Sequence, residues 1–260
     1  MSVVTLISDW NKNDYYVGAI KGTILRNIPK ANIMDISHSV DPFNSLQAAF
    51  ILRNCYMNFP SGSIHLICVN SENSEDIPYL CVFYDDHYFI GADNGVFAFL
   101  LKNEPSEMIR IEKYQEGMGF PELNVFVPAA IELLKKGNMH DLGNKVEEFN
   151  KQTLLRPVIE ENSITGTIIY IDSYRNAITN ITRELFERIR RQRKFEIYVQ
   201  SNHYKINRVN KQYNETSVGE LLALFNTADL LEIAINSGNA ADLLNLGINS
   251  SVRIKFLHGK

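Results

Sequence analysis

Apolar positions come in short unbroken blocks early in the chain and in alternation late in it, and the change of pattern divides the molecule. Residues 3–7 form an apolar run that stops abruptly at Ser8-Asp9-Trp10, which predicts a buried strand. Residues 14–25 read as a helix. A second strand at 31–36 ends in Ser37-His38, and a helix at 44–57 carries Leu46, Ala49, Phe50 and Leu52 along its length. A third strand at 63–69 ends at Asn70. Residues 79–84 and 88–90 predict a hairpin across Asp85-Asp86, Asp93-Asn94-Gly95 is a tight turn, and 128–136 is a helix stopped by Gly137. This alternation predicts an α/β N-terminal domain over 1–152, with a central mostly parallel sheet covered by helices. Residues 153–162 contain Pro157 and lack periodicity, as a linker would. Beyond them, strand patterns at 166–172, 195–199, 231–236 and 251–256 predict a smaller, β-rich domain over 163–260.

Composition narrows the function classes. The chain has 260 residues, 45% hydrophobic and 22% charged, with a net charge of -4. That balance is ordinary for a globular protein and argues against a nucleic-acid surface. The basic stretch 188–194 follows a helix start at Thr182 and reads as a solvated helix end. Cys55, Cys68 and Cys81 have neither disulfide nor zinc spacing, and no histidine pair has metal-ligand spacing, so no metal is expected. The chain opens directly into a strand and has no apolar run of the ~20 residues a membrane span needs. A cytoplasmic protein with no membrane partner is expected.

Two strand tips carry candidate chemistry. Asp9 ends the first strand, at the carboxyl edge where open α/β sheets bind ligands. It can accept two hydrogen bonds from a vicinal diol such as ribose, or it can cap the next helix. In the second domain, residues 168–171 run into Asp172, followed within five residues by Tyr174 and Asn176. An asparagine edge matches a purine and an aromatic ring stacks on one. The same residues also suit a polar turn bonded to its own backbone. His38 can face a cleft or sit in a loop, and mid-strand His65 reads as a satisfied core or interface group.

Three blocks, in order along nearly the whole chain, resemble the SAM hydroxide adenosyltransferase family, the SAM hydrolases related to fluorinases and chlorinases. The first is Leu6-Ile7-Ser8-Asp9-Trp10 with 16–22. The second is 59–65 followed by 91–96. The third is Ile171-Asp172, Asn176 and 178–181, with 231–234 and Gly238-Asn239-Ala240-Ala241. The resemblance implies that the second domain is a β-barrel. It also implies a homotrimer with sites at subunit interfaces, and S-adenosyl-L-methionine (SAM) as substrate or ligand with no cofactor. Ligand contacts would come from Asp9, Trp10, Asn70, Asp172, Tyr174, Asn176, Thr227 and Ser237. Among these, Asp9 would hold the ribose diol and Tyr174 would stack on adenine. Asn176 and the Ser237 backbone would bond its edge, and Asp172 with Thr227 would hold the methionine ammonium.

The implied reaction is attack of water or hydroxide at ribose C5′, giving adenosine and L-methionine. Water has a pKa of about 15.7 and needs a base or a positive field, which the family supplies with an aspartate, an arginine and a histidine. Here those positions are Asn70, Ile77 and Pro121. Glu72, Asp76 and Glu122 are the nearby carboxylates, either weak bases if buried or solvated loop anions. The alternatives to hydrolysis are a non-catalytic nucleoside- or SAM-binding protein and a purely structural trimer.

Overall fold

Strand β1 (Val3–Ser8) is buried at every position, as an apolar run must be when it has a strand on each side and helices over each face. In the computed structural model, which describes residues 3–11, 13–72, 76–114, 119–152 and 155–257 (backbone alone for 201–203), the chain divides into two compact units, 1–153 and 154–260. Asn73, Ser74 and Glu75 of the expected water-activating loop, Thr153 and Leu154 of the expected linker, and His258 lie outside the described residues.

In the first unit, α1 (Tyr16–Asn27) leads from β1 to β2 (Asn32–Ser37), and α2 (Ser45–Arg53) leads on to β3 (Ile64–Cys68). β2 and β3 flank β1 in parallel, so that Ser8 lies opposite Cys68. β4 (Tyr79–Tyr84) and β5 (His87–Ala92) form the expected hairpin. Asp85 and Asp86 turn it at φ of 47° and 62°, the paired left-handed geometry of a two-residue hairpin loop. Then come α3 (Val96–Leu100), β6 (Glu107–Ile111), α4 (Val127–Lys136) and β7 (Gly143–Lys145). Among the described residues the strand order is β2-β1-β3-β5-β4-β6-β7.

The expected mostly parallel sheet is a mixed one. β1–β2, β1–β3 and β3–β5 are parallel, whereas β4–β5, β4–β6 and β6–β7 are antiparallel. Parallel neighbours need a crossover of a dozen or so residues, and only two residues separate β4 from β5. Side chains alternate across the sheet. Val4 and Leu6 pack with Ile20, Ile24 and Phe126 on one face, and Ile7 packs with Leu52, Phe89 and Phe97 on the other.

The named strands of the second unit all pair antiparallel. Its elements are β8 (Val158–Glu160), β9 (Ser163–Ile171), β10 (Ala177–Thr182), α5 (Arg183–Arg190), β11 (Phe195–Val199), β12 (Ser201–Ile206), β13 (Leu221–Phe225), β14 (Leu230–Ile235), α6 (Ala240–Leu243) and β15 (Ser251–Phe256). Strand β8 thus forms inside the stretch expected as a linker. The order is β12-β11-β15-β9-β10-β14-β13, with β8 on β9. A bridge from Asn210 to Leu224 brings the chain after β12 against β13, which makes the sheet a near-barrel. Thr182 caps α5 by accepting from the Leu185 N–H. Phe186 drives its ring among Phe195, Phe225 and Phe256. The basic stretch is partly absorbed here: Arg190 lies over Phe195 and Arg193 over Phe256, a cation–π use of charge.

His65 is a satisfied core group. Its Nδ1 is 2.7 Å from Thr5 Oγ1 and its Nε2 is 3.1 Å from Nδ1 of His87, with both rings buried and His65 stacked on Phe89. Burial pushes His65 down to about 3, with the His87 charge acting the same way, and burial lowers His87 too. An unfolded imidazole takes a proton at about pH 6.5. The unfolded state therefore binds more protons between that value and about 3, and stability falls as pH drops through this window. Thermal melts are expected to show His65→Leu flattening this dependence, by up to about 1.4 kcal/mol per pH unit.

Candidate functional site

Because β1, β3 and β5 run parallel, their carboxyl ends share one edge, which brings Asp9, Asn70 and Asn94 together. Asp9 does not cap α1, whose N-cap is Tyr15 and which has no side-chain capping bond. Instead, Asp9 Oδ2 accepts the backbone N–H of Phe43 at 2.9 Å and that of Asn70 at 3.4 Å. Phe43 and Asn70 are both left-handed, at φ of 64° and 49°, so each donor is aimed by a strained local turn. Trp10 turns its ring to Tyr16 and Phe120, each 5.6 Å away, and Tyr16 and Phe120 are 5.1 Å apart.

Asn94, read from sequence only as a turn residue, is the clamp of this edge. Its Nδ2 donates to the carbonyls of Val69 (3.0 Å) and Asn70 (2.7 Å), and its Oδ1 accepts the Val96 N–H at 3.2 Å. His38 is a loop residue, the first after β2. It is buried, with Nδ1 2.7 Å from Ser8 Oγ and Nε2 3.1 Å from Asp35 Oδ1, so it ties the tips of β1 and β2 together. Burial pushes the Asp35 carboxyl up, but hydrogen bonds from Lys21 and His38 outweigh it and hold the group below its ordinary value.

The three positions matched to the family's water-activating set hold no ionisable group. Asn70 is half-buried, Ile77 packs against the apolar core, and Pro121 is buried just before a single π-helical turn, Glu122–Phe126. Of the nearby carboxylates, Glu72 and Asp76 are exposed, whereas Glu122 is only 5% exposed. Burial raises the Cys68 thiol well above its ordinary pKa, and the charges of Glu122 and Asp9 push it the same way. Both carboxylates therefore lie in the electrostatic neighbourhood of the β3 tip.

In the second unit the corner after β9 is a self-bonded turn. Asp172 Oδ1 accepts the N–H groups of Tyr174 (3.0 Å) and Asn176 (2.8 Å), and Oδ2 accepts Asn176 Nδ2 at 3.1 Å. Asn176 is buried, while the Tyr174 ring is 76% exposed. β10 runs antiparallel to β14, with Ala177 opposite Ile233. Ser237, left-handed at φ 57°, follows the end of β14 and shares the Asn176 end of the sheet. Thr227 is placed elsewhere, in the turn joining β13 to β14, at the other end of β14.

Glu232 stood in the sequence only as part of an apolar strand, with no role of its own. It is buried, and its oxygens accept from Tyr213 Oη (2.7 Å) and Asn226 Nδ2 (3.2 Å). Burial chiefly raises its pKa, the nearby Asp172 charge adds to this, and the two hydrogen bonds oppose it. An ionisable residue inside an otherwise apolar strand was the available signal. Among the described residues no group of three or more His, Cys, Asp or Glu side chains could hold a metal, and no helix is long and apolar enough to cross a membrane.

Comparison with known proteins bears on both units. A family model for the SAM hydroxide adenosyltransferase N-terminal domain matches residues 4–143, and one for the C-terminal domain matches residues 166–253. An (R)-S-adenosyl-L-methionine hydrolase from Methanocaldococcus jannaschii is 31% identical over 192 residues, 71% of this chain and 68% of that protein. One from Thermus thermophilus is 26% identical and covers 92% of this chain and 94% of its own. A solved structure of an uncharacterized conserved protein from Thermotoga maritima superposes with a TM-score of 0.88 at 25% identity, covering 97% of this chain and 100% of that one.

Asn94→Ala would leave the Val69 and Asn70 carbonyls without their donor. Chemical denaturation is expected to show a loss of about 1–3 kcal/mol.

Proposed function

Since the chain belongs to the SAM hydroxide adenosyltransferase family, we propose that it binds SAM and hydrolyses it to adenosine and L-methionine. The observation that carries this reading is the Asp9 carboxylate, fixed at the β1 tip by two backbone N–H groups instead of being spent on a helix cap. With Oδ2 committed, Oδ1 is the oxygen that would accept from the ribose diol, beside Trp10 and Asn70. In the second unit, the exposed Tyr174 ring would stack on adenine. Asn176 would offer its remaining amide capacity to the base edge, with the Ser237 backbone as co-partner, and Asp172 would attract the methionine ammonium. Thr227 belongs to this set by resemblance only.

The substitution needs little from the protein at the leaving group. When C5′–S breaks, the sulfonium takes the electron pair and departs as the neutral thioether of methionine. The cost lies at the nucleophile, where water must lose a proton as its oxygen bonds to C5′. A homotrimer with sites at subunit boundaries, no cofactor and a cytoplasmic location go with this reading, and the unpaired thiols of Cys55, Cys68 and Cys81 suit a reducing compartment.

A second reading has its own support. Asn70, Ile77 and Pro121 carry no charge, which fits a nucleoside- or SAM-binding protein that does not turn its ligand over. Incubation with SAM and chromatography for adenosine decides between them. Adenosine formation is expected, while calorimetric SAM binding without product would establish the binder. Asp9→Ala is expected to weaken adenosine binding by about 2–4 kcal/mol, since a charged contact to the diol is lost. Unchanged affinity in that variant would remove Asp9 from the site.

A further inference from the structure

A hydrolase of this kind must place a proton acceptor beside the attacking water, and the three matched positions provide none. Of Glu72, Asp76 and Glu122, Glu122 is the one the fold has taken out of solvent, and the other buried acid of this edge, Asp93, already accepts the Asn150 N–H. Glu122 follows Phe120, whose ring packs against Trp10 and Tyr16 beside the β1 tip. It also opens the π-helical turn, where the Val127 N–H donates to the Glu122 carbonyl. Single π turns are rare and concentrate at functional sites. Its charge and that of Asp9 both reach Cys68, the last residue of β3, opposite Ser8. Asp9 thus stands at the β1 tip, and Glu122 lies on the segment that packs against that tip through Phe120.

Resting on the hydrolase reading, we propose that Glu122 is the general base of this chain, standing in for the missing water-activating set. The proton of the attacking water passes to the Glu122 carboxylate as the water oxygen bonds to C5′. The C5′–S bond breaks with its electron pair going to sulfur, and neutral methionine leaves. Glu122 then releases the proton to solvent. Atoms and charge balance: SAM and water give adenosine, methionine and one proton. The glutamate replaces the family's charged trio with a single acceptor.

The test compares SAM turnover by wild type, Glu122→Gln and Glu122→Asp, with calorimetric adenosine binding and a thermal melt on each. Glu122→Gln is expected to lower kcat by at least about 100-fold, the usual worth of a general base, while KM, adenosine affinity and the melting temperature stay near wild type. Glu122→Asp is expected to keep part of the rate. Wild-type kcat should fall as pH drops, and Glu122→Gln should lose that limb. The other titratable groups of these surroundings are Cys68 on β3 with Asp9, which follows β1, and Tyr16 on α1 with Asp14, which precedes α1. These are unchanged in the variant, so a surviving limb overturns the assignment. Full turnover by Glu122→Gln also overturns it, as does a rate loss matched by lost adenosine binding. A wild type that binds adenosine without turning SAM over refutes the hydrolase reading itself, and the role of Glu122 falls with it.

Discussion

The parallel pairing of β1 with β3 is the constraint on which the candidate site in the first unit depends. It sets Ser8 opposite Cys68, so the residues that follow each strand emerge at one edge. Asp9 then reaches the Asn70 N–H, and Asn94, arriving from the end of β5, grips the carbonyls on either side of the same bend. Slip that register by one residue and every side chain of β1 changes face. Both faces are apolar, so what a slip loses is the fitted packing of Val4 and Leu6 on one side and Ile7 on the other, together with the Thr5–His65 hydrogen bond, and these contacts also hold the geometry of the edge.

Much of this was legible in the residues, for definable reasons. The runs at 3–7 and 63–69 announced central strands, and Asp85-Asp86 announced a hairpin turn that is present with both aspartates left-handed. Strand direction was less legible, because hydrophobic periodicity carries no sign. The β4–β5 hairpin was read as such, but β6 and β7, which add two further antiparallel pairs, were not read as strands, so the sheet was expected to be more parallel than it is. At the tips, Asp9 and Asp172 stood out because a carboxylate interrupts an apolar run. The two readings left open for the Asp172–Asn176 corner prove compatible in part: the turn does bond to itself, yet it leaves the Tyr174 ring in solvent.

What stayed hidden is what depends on distant packing. Glu122 follows a proline at the start of a mostly apolar run, Phe120 to Val127, and its position at the head of that run leaves open whether it turns into the packing or out of it. Two residues before it, Phe120 joins an aromatic group with Trp10 and Tyr16, which assembles from segments about a hundred residues apart in the chain. His38 is the loop residue it read as, but its burial and its place as a tie between Ser8 and Asp35 appear only once β2 is laid beside β1. Local propensity cannot report such partners, because they lie across the sheet and not along the chain.

The state of Cys68 carries a chemical consequence. A sulfonium such as SAM is an alkylating agent, and thiolates are among the nucleophiles it attacks most readily. Cys68 ends the strand beside Asp9, yet burial and two neighbouring negative charges keep its sulfur protonated and shielded from solvent. Only the thiolate reacts. The carboxylates at this edge thus also protect the protein from labelling itself with the compound it is proposed to cleave.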